Sequence, residues 1–247
     1  MSDLDADVIV IGSGSAGAVV AGRLARESEA RVLLIEAGGS DRNPVFRVPL
    51  MTGLLLRGRY ANWSYVTEPE PGLDERRLPW PRGRVIGGSS SINGMIWTRG
   101  LSSDYDGWAQ RGLPGWGGEE VRARFERIEA VHGGPQRLSG HESISDLSQA
   151  FLDAGEQAGH PVSRGFNSNA PEGMGRYEFT VADGRRMSAS RTWLDPARER
   201  VNLRVLTGAC ATRLLLENGR VTGVELARGQ SRILARAPRV VLSGGTV

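Results

Sequence analysis

The first apolar stretch of the chain, Asp7-Val-Ile-Val-Ile11, is a continuous run of β-branched residues rather than an alternating one. Continuity of this kind predicts a parallel strand buried on both faces. Gly12-Ser-Gly-Ser-Ala-Gly17 follows at once. A small-residue stretch comes next, in which Val20 and Leu24 share one face while Arg23 and Arg26 can meet solvent, and it predicts a helix. Arg31-Val-Leu-Leu-Ile-Glu36 reads as the next strand and closes a βαβ unit of about 30 residues, the expected size.

Beyond this unit the periodicity weakens. Residues 38–81 are rich in Gly, Pro, Arg and Trp and predict a long excursion with little regular structure, and residues 83–93 a second glycine-rich turn. Amphipathic spacing predicts helices over residues 121–131 and 147–158, the latter ended by Gly159. Strand patterns return at residues 177–181, 203–206, 211–216, 221–226, 232–235 and 239–242, with Asn218-Gly219 as a hairpin signal between two of them. No internal repeat or low-complexity linker is present.

Composition narrows the chemistry. With 247 residues, 39% hydrophobic and 24% charged, the chain has the make-up of a soluble globular protein of one large domain or two small ones. There is no lysine, so all 31 basic residues are arginine; this lifts the pI to about 9.6 although the net charge is only +3. The same absence excludes a Schiff base and a Walker-type phosphate loop. Bases and acids are interspersed, which argues against a nucleic-acid partner. Cys210 is the sole cysteine, so no internal disulfide or zinc cluster is expected and a reducing compartment fits. The acidic, polar start of the chain is unlike a secretory signal, and no stretch approaches the ~20 apolar residues of a membrane span. A cytoplasmic protein without a membrane partner is the expectation.

A lone GxGxxG is weak, and its placement decides its worth. Here Gly12, Gly14 and Gly17 follow a strand and open a helix, and Glu36 ends the next strand 19 positions after Gly17, near the ~20 expected of a dinucleotide site. Gly12 would permit the tight turn, Gly14 close approach of a pyrophosphate, and Gly17 close packing of helix on strand. Helix-start N–H groups, with Ser15 and Ala16 in the first turn, would meet the phosphate charge, and Glu36 would accept ribose hydroxyls. The motif alone does not separate FAD from NAD, and a ligand-free helix packed closely on a sheet is its alternative.

The segment from Gly83 to Asp106 discriminates further. Gly87 and Gly88 allow close backbone approach, Ser89 to Ser91 carry hydroxyls, and Asn93 adds an amide. Such a loop can hold a pyrophosphate or the polar edge of a heterocycle, although composition alone also allows an ordinary Gly/Ser turn. It resembles, nearly position for position, the first signature of the glucose–methanol–choline (GMC) oxidoreductases, through Gly83, Arg84, Ile86, Gly87, Gly88, Ser89, Ser90, Ile92, Asn93, Trp97, Gly100 and Asp106. Asn62-Trp-Ser-Tyr65, Asp104-Tyr-Asp106, Gly134-Pro135, Phe166-Asn167, Glu172-Gly173 and Arg186-Met-Ser-Ala189 resemble further landmarks, so the similarity runs along essentially the whole chain.

The resemblance implies an α/β fold: a Rossmann-like FAD-binding domain, a parallel sheet plus a β-meander, with part of an α+β substrate-binding domain. Residues 1–150 and 196–247 would form the FAD-binding domain, and residues 151–195 would contribute to the substrate-binding domain. It implies FAD as cofactor, with Gly12, Gly14, Ser15, Ala16 and Gly17 on the pyrophosphate and Glu36 and Ala37 at the adenosine ribose. Arg84, Gly87, Gly88, Ser89, Ser90, Asn93, Gly94 and Met95 would line pyrophosphate and isoalloxazine, Ala211 would meet adenine, and Ser243 and Gly244 would complete the cradle. One branch of the family bonds flavin covalently through a histidine just before the asparagine; Ile92 stands there in this chain, so the FAD is expected to be non-covalent.

The implied reaction is oxidation of an alcohol to a carbonyl by hydride transfer to flavin N5. In the family a second signature and the catalytic histidine follow a Ser-Gly turn like Ser243-Gly244. His132, His141 and His160 do not match that histidine, so no catalytic residue and no metal ligand is assigned here, and a second polypeptide carrying the C-terminal half is the expected partner. A flavin lyase of the same fold, a nicotinamide reductase and a non-enzymatic flavin-binding subunit are the rival readings. Trp63, Tyr65 and Trp97 can line the site or belong to the core.

Overall fold

A computed structural model describes residues 4–140, 144–163, 165–168 and 172–247. The chain divides into two compact units, the first formed by residues 1–94 and 188–247, the second by residues 95–187. These breaks differ from the expected boundaries near residues 150 and 195.

In the first unit, β1 (Val8–Ile11) leads through the glycine turn into α1 (Ser15–Glu27) and on to β2 (Val32–Glu36). β1 lies between β2 and the strand Val240–Leu242, and β2 pairs on its far side with Leu203–Thr207, every pairing parallel. The apolar runs are continuous because both faces are covered. Val8, Val10, Val32 and Leu34 pack with Ala18, Ala21 and Ala25 of α1. Ile9, Leu33 and Ile35 turn to the other face, where they meet Val224, Leu226 and Ala235. Those last three belong to an antiparallel meander, Cys210–Glu217, Arg220–Arg228 and Ser231–Arg236, turned in part by Asn218-Gly219 as its sequence requires. The expected α/β fold with parallel sheet and meander is therefore present.

Within the excursion of residues 38–81 the chain forms only single turns, a short helix at Thr52–Arg57 and a two-residue strand pair, Tyr65–Val66 with Pro79–Trp80. Its Phe46 and Leu55 form a small core with Val85 and Ile92 of the second glycine turn.

The second unit is α+β in character. It contains helices Ser102–Gln110, Gly118–Ile128 and Asp146–Gln157, and antiparallel pairs Ile96–Trp97 with Glu178–Phe179 and Val181–Ala182 with Arg185–Arg186. The helix expected over residues 121–131 starts three residues earlier and ends three earlier, where Glu129 leaves helical geometry. Ser102–Gln110 is a helix that the sequence pattern does not mark. Its Asp104 carboxylate accepts the N–H of the N-cap residue Leu101 at 3.3 Å, while Gly107 and five polar residues, Ser102, Ser103, Asp104, Asp106 and Gln110, blur its apolar period. A buried polar knot organises this unit: Glu129 accepts Trp97 Nε1 at 2.8 Å and Arg99 Nε at 2.8 Å, and Asn167 donates Nδ2 to Trp97 O at 3.1 Å. Trp97, half-buried, packs edge-on against the half-buried Phe125 within this unit.

Candidate functional site

β1, β2 and Val240–Leu242 are parallel, so their carboxyl ends lie at one edge of the sheet, where α/β folds bind ligands. α1 starts there with Gly14 as its N-cap, and no side chain caps it. The first-turn amides of Ser15, Ala16 and Gly17 have no partner within the helix, and they carry the positive end of the helix dipole. Ser15 and Ala16 are exposed. A Cβ on Gly17 would come within 1.9 Å of Gly12 O, so only glycine lets the helix seat against the turn.

The second glycine turn lies directly on the first. Gly87 N–H donates to Ser13 O at 3.0 Å, and a Cβ on Gly88, whose φ is +54°, would fall 2.7 Å from Gly14 Cα. On Gly14 itself a Cβ would meet nothing nearer than Gly88 Cα at 3.9 Å, so any side chain there would project into the open space at the start of α1. Bare backbone on both sides of that space fits a pyrophosphate.

Glu36 ends β2 buried, at 5% exposure. Its Oε2 accepts the N–H of Ser13 at 3.0 Å and the Ser13 hydroxyl at 2.6 Å, and its Oε1 accepts Gly38 N–H at 2.8 Å. A carboxylate has about four acceptor positions, so about one remains for a ligand. Ala37 follows, half-buried, and the carbonyls of Glu36 and Gly38 receive Ala209 N–H and Gly208 N–H at 3.0 and 2.9 Å. Ala211 stands two residues beyond Ala209 beside a register shift in the meander. Ser243 N–H donates to Ile11 O at 2.8 Å, which sets the exposed Gly244 at the same sheet edge.

The serines of the second turn act differently from the reading in which they faced a ligand. Ser89 Oγ accepts Gly83 N–H at 3.0 Å, Ser91 donates to Ile86 O at 2.8 Å, and Ser90 donates to Gly87 O at 2.6 Å while accepting Ala189 N–H at 3.0 Å. Those hydroxyl contacts lock the loop, together with the N–H groups of Gly87, Gly88 and Ser90, which donate to Ser13 O, Val85 O and Gly87 O. Arg84 is exposed, with its guanidinium over the Trp63 ring at 4.6 Å, and Trp63 stacks on Tyr65. Ile92 points into the small core at 1% exposure, whereas Asn93 and Gly94 are exposed. Met95 opens the second unit with φ +65°, and its carbonyl accepts Thr180 N–H at 2.8 Å and the Thr180 hydroxyl at 3.2 Å.

A clasp that sequence reasoning missed supports the turn from behind. Asp41 accepts Ser190 Oγ at 2.5 Å and Arg198 at 2.8 Å, and Ser190 Cβ would lie 3.3 Å from a Cβ on Gly87. These partners are up to 157 positions apart, and no local pattern marks them. Of the histidines, His132 and His160 are exposed residues of the second unit, and His141 lies outside the described residues. No described helix is long and apolar enough to cross a membrane.

A family profile described as GMC oxidoreductase matches residues 6–247. The chain belongs to the GMC oxidoreductase family. Its relatives include an oxygen-dependent choline dehydrogenase of Rhizobium etli, 41% identical over 97% of this chain and 45% of the relative. An uncharacterized GMC-type oxidoreductase of Mycobacterium tuberculosis is 42% identical over 99% and 49%. Pyridoxine 4-oxidase from Mesorbium loti superposes with a TM-score of 0.92 at 36% identity, over 98% of this chain and 50% of that one. An FAD-dependent oxidoreductase from Chaetomium thermophilum shares the fold, with a TM-score of 0.87 at 24% identity over 98% and 46%. The chain spans about half the length of the curated relatives it matches. As a GMC oxidoreductase it is a flavoprotein, and the bare-backbone cradle of the two turns fits FAD.

Proposed function

We propose that this GMC oxidoreductase oxidises an alcohol to a carbonyl compound, with residues 1–247 supplying the FAD cradle. The observation that carries the reading is the backbone contact of the two glycine turns at the carboxyl edge of the sheet, above the uncapped start of α1. Bound FAD supplies the hydride acceptor, flavin N5. The amides of Ser15, Ala16 and Gly17 hold the pyrophosphate charge, and the bare backbone of Gly12, Gly14, Gly87 and Gly88, flanked by Ser89, Ser90 and Gly244, lets it come close. Glu36 receives a ribose hydroxyl, Ala37 and Ala211 flank the adenosine, and Ser243 anchors its end of the cradle to β1. Arg84, held over Trp63, borders the second turn. Asn93, Gly94 and Met95 would border the isoalloxazine, where the backbone N–H groups of Gly94 and Met95 would stabilise negative charge on the ring. With Ile92 buried in place of a histidine, the FAD is bound without a covalent bond.

We assign the base that takes the hydroxyl proton to polypeptide outside residues 1–247, because none of His132, His141 and His160 stands at the position that the family resemblance gives the catalytic histidine, and the chain spans about half the length of its relatives. An imidazole suits that step, since its pKa lies near working pH. Intact-mass measurement on the active enzyme distinguishes a second polypeptide from a continuous one. The central test is the visible spectrum of the purified enzyme, followed by anaerobic addition of alcohols. A flavin band bleached by an alcohol is the expected result. Flavin absorbance that no alcohol bleaches would favour a lyase or a binding subunit, and a colourless protein that takes up no FAD would refute the cradle itself.

A further inference from the structure

Ser13 occupies a position that the glycine motif leaves open to any residue, yet it is fully buried. Both of its donors are spent on one carboxylate oxygen, the N–H at 3.0 Å and the hydroxyl at 2.6 Å from Glu36 Oε2, while Gly38 N–H holds Oε1. A glutamate at a strand end that rotated freely would lose rotamer entropy on meeting a ligand. Here that loss is taken on folding, and the carboxylate waits in one orientation.

We propose that Ser13 is a positioning residue that acts through Glu36, fixing the carboxylate so that it reads a single hydroxyl of the adenosine ribose. The inference rests on the FAD reading above. The acceptor count gives it content: three protein donors on about four positions leave room for one ribose hydroxyl, not for the 2′,3′ pair. Ser13 also ties the nucleotide end of the cradle to the second turn, because its carbonyl receives Gly87 N–H.

The test uses the full enzyme, with FAD affinity read from flavin fluorescence and competition by ADP, 2′-deoxy-ADP and 3′-deoxy-ADP. In the wild type one deoxy nucleotide competes about tenfold less well than ADP, the worth of one hydrogen bond to a charged group, and the other competes like ADP. In Ser13→Ala, FAD binds about tenfold more weakly and the deoxy penalty falls to about threefold or less. The penalty compares ligands on one variant, so a general loss of stability leaves it unchanged. Ser13→Gly, which removes the hydroxyl together with its β-carbon, shows the same fall. A wild type that binds FAD but penalises both deoxy nucleotides or neither overturns the inference, and so does a penalty that survives in both variants. In those cases the functional reading stands. A wild type that takes up no FAD ends both.

Discussion

The contact between the two glycine turns is open to a direct test, Gly88→Ala. Gly88 has φ +54°, where an L-residue costs roughly 1–2 kcal/mol. The added Cβ would sit 2.7 Å from Gly14 Cα, against an ordinary carbon–carbon contact of about 3.5–4.0 Å, so the turns must part by roughly 1 Å. That movement stretches the Gly87 N–H to Ser13 O bond, now 3.0 Å, to about 4 Å, beyond hydrogen-bonding range. Its loss adds about 1 kcal/mol, for a total near 2–3 kcal/mol and a fall in Tm of about 5–10 °C. The effect on FAD is larger. Displacing the second turn by ~1 Å against the start of α1 costs about one hydrogen bond from the α1 amides to a charged oxygen, roughly tenfold to a hundredfold in Kd.

Strain and overlap are separated by a control. Gly229 has nearly the same φ, +59°, but nothing lies within 4 Å of an added Cβ. Gly229→Ala therefore carries the same left-handed penalty with no overlap, and its FAD affinity stays at the wild-type value. Thermal unfolding and fluorescence titration of both variants decide the matter. If Gly88→Ala binds FAD within threefold of Gly229→Ala, the turns do not form a shared cradle and the reasoning fails.

Three further outcomes are expected. Glu129→Gln leaves Arg99 partly buried without its carboxylate and lowers Tm by about 6–10 °C, from a loss near 3 kcal/mol. Burial works to raise the Glu129 pKa, but the hydrogen bonds from Arg99 and Trp97 and the Arg99 charge outweigh it and hold the group below the usual carboxylate range. The wild-type advantage over Glu129→Gln is thus complete above about pH 4–5 and shrinks as pH falls through the lower folded value; Tm curves that stay parallel down to acid would contradict this. Asp41→Asn breaks the pair with Arg198 and weakens the hold on Ser190, costing about 2 kcal/mol by chemical denaturation and loosening FAD several-fold, whereas an unchanged flavin off-rate would separate the clasp from the cradle. Acid precipitation of the holoenzyme releases yellow flavin into the supernatant, since Ile92 offers no atom for a covalent link; colour kept in the pellet would show another attachment.

The βαβ unit was legible because its signals agree at every level: β-branched runs, glycines at fixed offsets and an acid ending the second strand all require the same geometry. The meander was legible through Asn218-Gly219. The helix at Ser102–Gln110 was not, because none of its residues is buried and Gly107 interrupts it, so neither periodicity nor propensity marks it. Glu36 was found, but its three protein donors were not, since Ser13 reads as a spacer in the motif and Gly38 as a loop glycine. Likewise the serines of the second turn were recognised as polar chemistry, while their inward orientation depends on carbonyls and amides whose directions only the folded loop fixes.

That inward orientation follows from what gripping an anion requires. A hydroxyl aimed at a phosphate must first be held in one rotamer, and ordering it on binding subtracts from the affinity it provides. A backbone N–H in a folded turn is already held. A site built from amides therefore gains from side chains mainly through the rigidity they give the turn, and Ser90, Ser91, Glu36 and the Asp41–Ser190 clasp all spend polar groups that way. Substituting these residues should accordingly shift how tightly FAD is held more than how fast a bound flavin is reduced, because none of them is placed to touch the reacting atoms. The division of labour explains why the cradle is rich in glycine and serine: the helix supplies the charge, and the side chains supply the shape.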